Sequence, residues 1–335
     1  MGDIELRRIA PPPSLLGILL FSLAILVFAP FYFPGDAFGA EISVLRKYFT
    51  ASGLPNNWIK GIFRDGGTVL VTAGDDRTGA TVALDPGRDR FVPFDPGQGF
   101  AGKGITGWAE YGGKSYAGTE SALNIRDGIS WSHLDGFGPV RHSGELLYND
   151  GKTLYAVARV MAGGVLSFDG KEWRIVNRGP GTGIMNNATA VLSDGENLYI
   201  GTTTNGLFRF DGRAWTVIGA AEGLPGTWVT SLALTDEGLW IGCNDGLALL
   251  VGKKIRTFSG ADGLPSRRIR TVRRIRGRLF VGTADAGLSI RTGERFETLS
   301  TDRGLSDPRI QAIEEAPEGA WVGTVNGLNL LSIRD

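Results

Sequence analysis

One short phrase returns at a nearly constant interval and restricts the fold of this chain more than any other feature. Leu198-Tyr199-Ile200-Gly201-Thr202, Leu239-Trp240-Ile241-Gly242-Cys243, Leu279-Phe280-Val281-Gly282-Thr283 and Ala320-Trp321-Val322-Gly323-Thr324 follow one another at spacings of 41, 40 and 41 residues. Weaker copies stand at 115–119 and 154–158, and a first copy at 69–73. A unit of this length cannot bury a core alone and must pack against its neighbours, as the units of solenoids and propellers do.

Each unit holds four short apolar runs separated by turn signals, the pattern of a four-stranded antiparallel meander. Asp65-Gly66, Gly112-Gly113, Asp150-Gly151, Asp194-Gly195, Glu237-Gly238, Arg276-Gly277 and Glu318-Gly319 punctuate the first and second runs. Such pairs are hairpin turns, and they account for much of the high glycine count, 51 residues against 15 prolines. Pro86-Gly87, Asp127-Gly128, Asp169-Gly170, Asp211-Gly212, Val251-Gly252 and Thr292-Gly293 separate the third run from the fourth, and the last unit, beginning near Pro308, stops before its fourth. The missing run stands at the other end of the chain, at 44–50, where Leu45 and Tyr48 keep the same offset to Gly53-Leu54-Pro55 that Trp215 and Ile218 keep to Gly223-Leu224-Pro225. The expectation is an all-β, seven-bladed β-propeller of four-stranded antiparallel blades, its last blade closed by the N-terminal strand. No amphipathic helix separates the runs, which disfavours a parallel α/β fold.

Arg7 and Arg8 precede the apolar run from Leu15 to Ala29, which Pro30 and Ala37-Phe38-Gly39-Ala40 follow. That order is the pattern of an export signal, with Ala37 and Gly39 at the small positions a signal peptidase reads. Counted through Phe33 the apolar region is 19 residues long, enough to span a bilayer as an uncleaved anchor. Both readings divide the chain into a signal or anchor at 1–39 and a propeller at 40–335. Both also place the propeller outside the cytoplasm, in the periplasm or the extracellular space.

The succession of Gly-Leu-Pro, apolar strand, acidic residue and Gly, Leu-Trp-Ile-Gly-Thr and Asn-Gly-Leu resembles the two-component regulator propeller repeat. It is clearest at 223–247, 263–288 and 305–328, and extends more weakly back to about residue 43. The resemblance implies a ring of the kind that forms the periplasmic sensor part of hybrid signalling proteins or stands alone as an exported protein. These 335 residues hold no kinase, receiver or second membrane segment. The expectation is therefore a stand-alone exported ring that does not signal through a membrane by itself.

Ligands of propellers sit where the loops leading into the inner strands open, because the strands themselves are committed to packing. Aligned units place Trp58, Gly104, Ser143, Asn187, Trp228, Arg268 and Arg309 just before the first strands, and one position beyond the strand's first residue lie Lys60, Thr106, Glu145, Thr189, Thr230, Arg270 and Gln311. Two indoles, two guanidinium groups and an amide make a recognition surface, and the second set suits a water-filled channel. Trp58, Asn187, Trp228, Arg268, Arg309, Arg270, Lys60 and Gln311 are the binding candidates. Seven arginines fall between Arg267 and Arg278, where an anionic ligand or acidic partner would dock bidentately; acidic neighbours from other blades would silence them.

Basic and acidic side chains balance at 35 each, so no global field attracts nucleic acid. No zinc cluster, haem attachment or internal disulfide can be built on the single Cys243, which stands where sibling units carry Thr and reads as a small buried side chain. Gly97-Gln98-Gly99-Phe100-Ala101-Gly102 matches a dinucleotide fingerprint, but no helix follows it. Only His133 and His142 could act as imidazole bases, and the Asp-Gly pairs are spaced by blade rather than gathered into a calcium loop. No cofactor, metal or catalytic residue is assigned. The expected function is non-catalytic binding of an anionic ligand or a protein partner, as a monomer or as a subunit of an exported assembly. Membrane contact is expected only through an uncleaved N-terminus. The alternative is a propeller lyase or hydrolase with its site at the channel mouth.

Overall fold

A computed structural model describes residues 41–75, 79–134, 144–158, 164–176 and 187–334. The signal or anchor, Ser143 and His142 lie outside them. Among the described residues 28 strands, β1 to β28 in chain order, form seven four-stranded antiparallel sheets. Each of the first six sheets is a sequence-consecutive meander, covering 59–93, 105–134, 144–175, 188–218, 229–258 and 269–299. The seventh runs β26 (Ile310–Glu315), β27 (Gly319–Thr324), β28 (Gly327–Arg334), and then β1 (Glu41–Tyr48).

The first strands of the seven blades are β2 (Ile59–Asp65), β6 (Ile105–Tyr111), β10 (Gly144–Asn149), β14 (Ala188–Ser193), β18 (Val229–Thr235), β22 (Ile269–Ile275) and β26. Each packs beside the next, and β26 packs beside β2, so the series closes into a ring. Second strands such as Leu239-Trp240-Ile241 are buried throughout, because a neighbouring blade covers each face. Fourth strands return to a partial alternation, as in Lys254–Phe258, because they form the outer edge.

The recurring glycine of the diagnostic phrase has a packing cause. A Cβ on Gly282 would lie 2.6 Å from Ile310 Cγ2, and one on Gly323 would lie 2.5 Å from Ile59 Cγ2. The first residue of each next blade presses onto this glycine, so its missing side chain sets how closely the blades approach. The Gly-Leu-Pro phrase, Gly-Leu-Ser at 304–306, closes a single 3-10 turn between blades. Gly53, Gly223, Gly263 and Gly304 are all left-handed, and the following Leu54, Leu224, Leu264 and Leu305 are all buried. Gly99 takes the same role before Phe100, with a φ of 88° and no room for a Cβ against the Trp131 carbonyl, and the strand β6 follows. The apparent dinucleotide fingerprint is therefore an inter-blade turn.

Strand β1 pairs with β28 from Glu41 opposite Arg334 to Tyr48 opposite Leu328. Tyr48 is buried, with Phe91 and Trp321 against its ring. Leu45 departs from expectation. It falls at a register shift between Val44 and Arg46 and is 46% exposed, while Val44 packs on the core in its place. A bulge turns one extra side chain outward, and the apolar offset in the sequence does not register it.

Candidate functional site

The second residue of every inner strand is a bulge. The ladder between first and second strands shifts register at Lys60, Thr106, Glu145, Thr189, Thr230, Arg270 and Gln311, once in each of the seven blades. These seven are the residues that sequence alignment placed along the channel, though the side chain of Glu145 is outside the described set. A bulge frees its residue from the pleat and re-aims its side chain. Here six of them, all but Glu145, line a central channel of about 610 Å³ that draws residues from all seven first strands.

Some bulge side chains also tie the ring together. Thr189 Oγ1 donates to the Val229 carbonyl at 2.5 Å, and Thr230 Oγ1 donates to the Ile269 carbonyl at 2.9 Å, each reaching the next blade. Lys60 Nζ donates to the Asp75 carbonyl. Arg270 is exposed in the channel and has no ion pair or hydrogen bond among the described residues, and Gln311 from the adjoining blade is half-buried beside the same space.

The residues preceding the inner strands are fixed by one repeated bond. The carbonyls of Trp58, Asn187, Trp228, Arg268 and Arg309 accept from the N–H of Gly74, Thr203, Asn244, Ala284 and Val325, which lie just after each second strand. This holds all five at the same end of their blades, as expected, but it does not gather their side chains. Trp228 is 41% exposed and lines the channel, whereas Trp58, Asn187, Arg268 and Arg309 do not. Arg268 lies 3.6 Å from Asp285. Arg309 grips Asp307 with two bonds of 2.8 and 2.7 Å, and its guanidinium holds that carboxyl below its usual range. The rim set is thus a ring of separate positions around one channel-lining indole, rather than a single pocket.

The arginine-rich segment is largely neutralised. Arg273 pairs with Glu314 of blade seven at 2.9 Å and Arg274 with Asp236 of blade five at 3.1 Å. Arg267 donates to the Asp245 carbonyl, and Arg276 to the carbonyls of Ile333 and Pro317. Arg270 and Arg278 are left without such partners. A patch that looks strongly basic in sequence keeps, among the described residues, two guanidinium groups without a partner on different strands, one of which faces the channel.

The other described candidates make local contacts. His133 Nδ1 sits 2.9 Å from the Gly99 carbonyl within an inter-blade turn. Asp169 and Asp211 each accept from the N–H groups two and three residues on, which draws their carboxyls below the usual range and commits them to turns. No group of three metal-ligating side chains occurs among the described residues, and no helix among them is long and apolar enough to cross a membrane. Cys243 is fully buried and its thiol is pushed up to about 12 by that burial.

No protein-family model matches the chain, and no curated protein matches it in sequence. Its fold is similar to that of solved extracellular domains from B. thetaiotaomicron. With the domain of BT3049, described as belonging to a hybrid two-component system, the TM-score is 0.70 at 16% identity over 83% of this chain and 39% of that one. With the corresponding domain of BT4673 it is 0.64 at 16% identity, over 87% and 39%. This chain spans about two fifths of the length of those domains. The WD40 propeller domain of Doa1, which is covered over 97% of its length, gives 0.61 at 12% identity. At these identities the shared property is the ring of blades, and the seven-bladed propeller read from the repeats is the fold observed.

Proposed function

We propose that this chain is an exported, non-catalytic propeller that binds a ligand or protein partner outside the cytoplasm at the mouth of its channel, in the manner of a sensor or scaffold. One observation carries the reading. Seven bulges stand in identical register, six of them present polar side chains to the channel, and an exposed indole stands beside them where the inter-blade loops open. Binding sites commonly take this form, a concave space with a few convergent polar groups on a rigid frame. The basic N-terminus with its apolar run supports export, and the similar solved rings are described as extracellular domains. A lyase or hydrolase would need a positioned base and a converging carboxylate at the channel; among the described residues His133 bonds the Gly99 carbonyl of an inter-blade turn, and Asp307 and Asp285 face Arg309 and Arg268.

The test joins location to binding. The full chain is produced in a bacterium with two membranes, cells are fractionated, and the melting of the recovered protein is followed against fractions of envelope and medium solutes. Recovery outside the cytoplasm is expected, with a fraction that raises Tm for the native chain and not for Trp228→Ala or for Arg268→Ala combined with Arg309→Ala. Cytoplasmic retention rejects export. Equal Tm shifts in every variant reject the mouth.

A further inference from the structure

Resting on the mouth as the binding region, we infer that its ligand is a small oxyanion, a carboxylate or phosphate, held on one side of the channel by Arg270. The bulges divide by chemistry around the ring. Three successive blades, the sixth, seventh and first, present Arg270, Gln311 and Lys60, while three of the others present Thr106, Thr189 and Thr230. Cation, amide and cation therefore form one arc, and the described hydroxyls lie outside it.

Arg270 decides the ligand class. Its neighbours Arg268, Arg273 and Arg274 each have a carboxylate, and Arg267 and Arg276 have carbonyls, whereas Arg270 has neither among the described residues. The four charged side chains that line the channel among the described residues, Lys60, Arg270, Arg273 and Arg274, are all cationic. Of these, only Arg270 offers a guanidinium fork with every donor unspent, the geometry that takes two oxygens of one carboxylate or phosphate. Gln311, on the next inner strand, supplies an amide that can donate to a third oxygen of a phosphate or to a second carboxylate. Lys60 adds charge from the far side of Gln311 while keeping its bond to the Asp75 carbonyl. The enclosure matters as well, because low-dielectric walls around one sign of charge concentrate an anion that open solvent would not hold.

The experiment is titration calorimetry on the full chain in mild detergent at low ionic strength, with inorganic phosphate and succinate as separate probes and glucose as a neutral one. Phosphate or succinate is expected to bind, and whichever binds names the headgroup. Arg270→Gln should weaken that binding by at least about tenfold, as expected for loss of a charge-assisted pair. Arg278→Gln, which removes the other unpaired guanidinium from outside the channel, should change it less than about twofold. Raising the salt should weaken binding to the native chain. Absence of binding by both anions, equal binding by glucose, an undiminished affinity in Arg270→Gln, or an equal loss in Arg278→Gln would each overturn the assignment. If Arg270→Gln is unaffected while Trp228→Ala still loses its solute-dependent Tm shift, the oxyanion falls and the mouth stands.

Discussion

Arg291 has a side chain only 4% exposed, yet it belongs to no site. It reaches from blade six to Glu237 in the first turn of blade five with bonds of 3.0 and 2.9 Å, and the rings of Trp240, Phe258 and Phe296 stand around its guanidinium at 5.0 to 5.6 Å. Arg126 repeats the device between blades two and one, bonding Asp65 and lying over Trp108 and Trp131, but it is more exposed at 26%. Glu237 is 46% exposed, so the loss falls on the buried guanidinium, whose truncation gives up charge-assisted hydrogen bonding worth about 1.5–3 kcal/mol and its packing against three rings. Arg291→Ala is therefore expected to lower stability in urea by about 3 kcal/mol, and Arg126→Ala by less than half of that. Equal losses would show that burial does not set the difference. Neither clamp was legible in the sequence. The partners lie 54 and 61 residues apart, and nothing in the repeat marks an arginine in a third strand as bound to the turn of another blade. Cys243, by contrast, was legible, because its siblings at the same register are Thr202, Thr283 and Thr324, all fully buried. Its raised thiol should resist aromatic disulfide reagents at pH 8 until denaturant is added, and rapid labelling of the native protein would refute that expectation.

At the scale of the strand, β1 carries the closure. Deleting 44–50 leaves the polar backbone of β28 unpaired and removes Tyr48 from its place between Phe91 and Trp321. An unpaired edge templates association. The deleted chain is expected to elute as aggregates by light scattering, and a stable monomer would contradict the role assigned to this strand. The spacing of glycines showed this closure in advance, because a turn signal is local and its phase carries around the chain. The bulges were not visible. Alignment found polar residues at the second position of each inner strand, but a one-residue shift of register leaves no mark in composition. For the same reason Leu45 read as core. Close approach between blades is a property of the strand pair: Gly282→Ala would place its methyl against Ile310 and should cost about 1–3 kcal/mol, measurable as a lower urea midpoint at unchanged slope.

For the whole molecule, the buried acids set a limit on alkaline stability. Burial raises Tyr155, Tyr199 and Cys243 to about 12 from ordinary values of 10.0 and 9.0. Between those values the unfolded chain releases these protons while the folded ring keeps them, so the stability they contribute is complete below about pH 9 and is lost as the pH climbs toward 12. Tm is expected to fall over that interval, and Tyr199→Phe should flatten part of the decline. A Tm that is level from pH 9 to 12 would refute this linkage. Closure has a mechanical consequence too. Because β1 lies antiparallel to β28 with Glu41 facing Arg334, a load drawn between residues 41 and 334 meets the backbone bonds one after another instead of all together. The ring would peel open from that corner under modest tension, as a zip does, while six blades remained intact behind it.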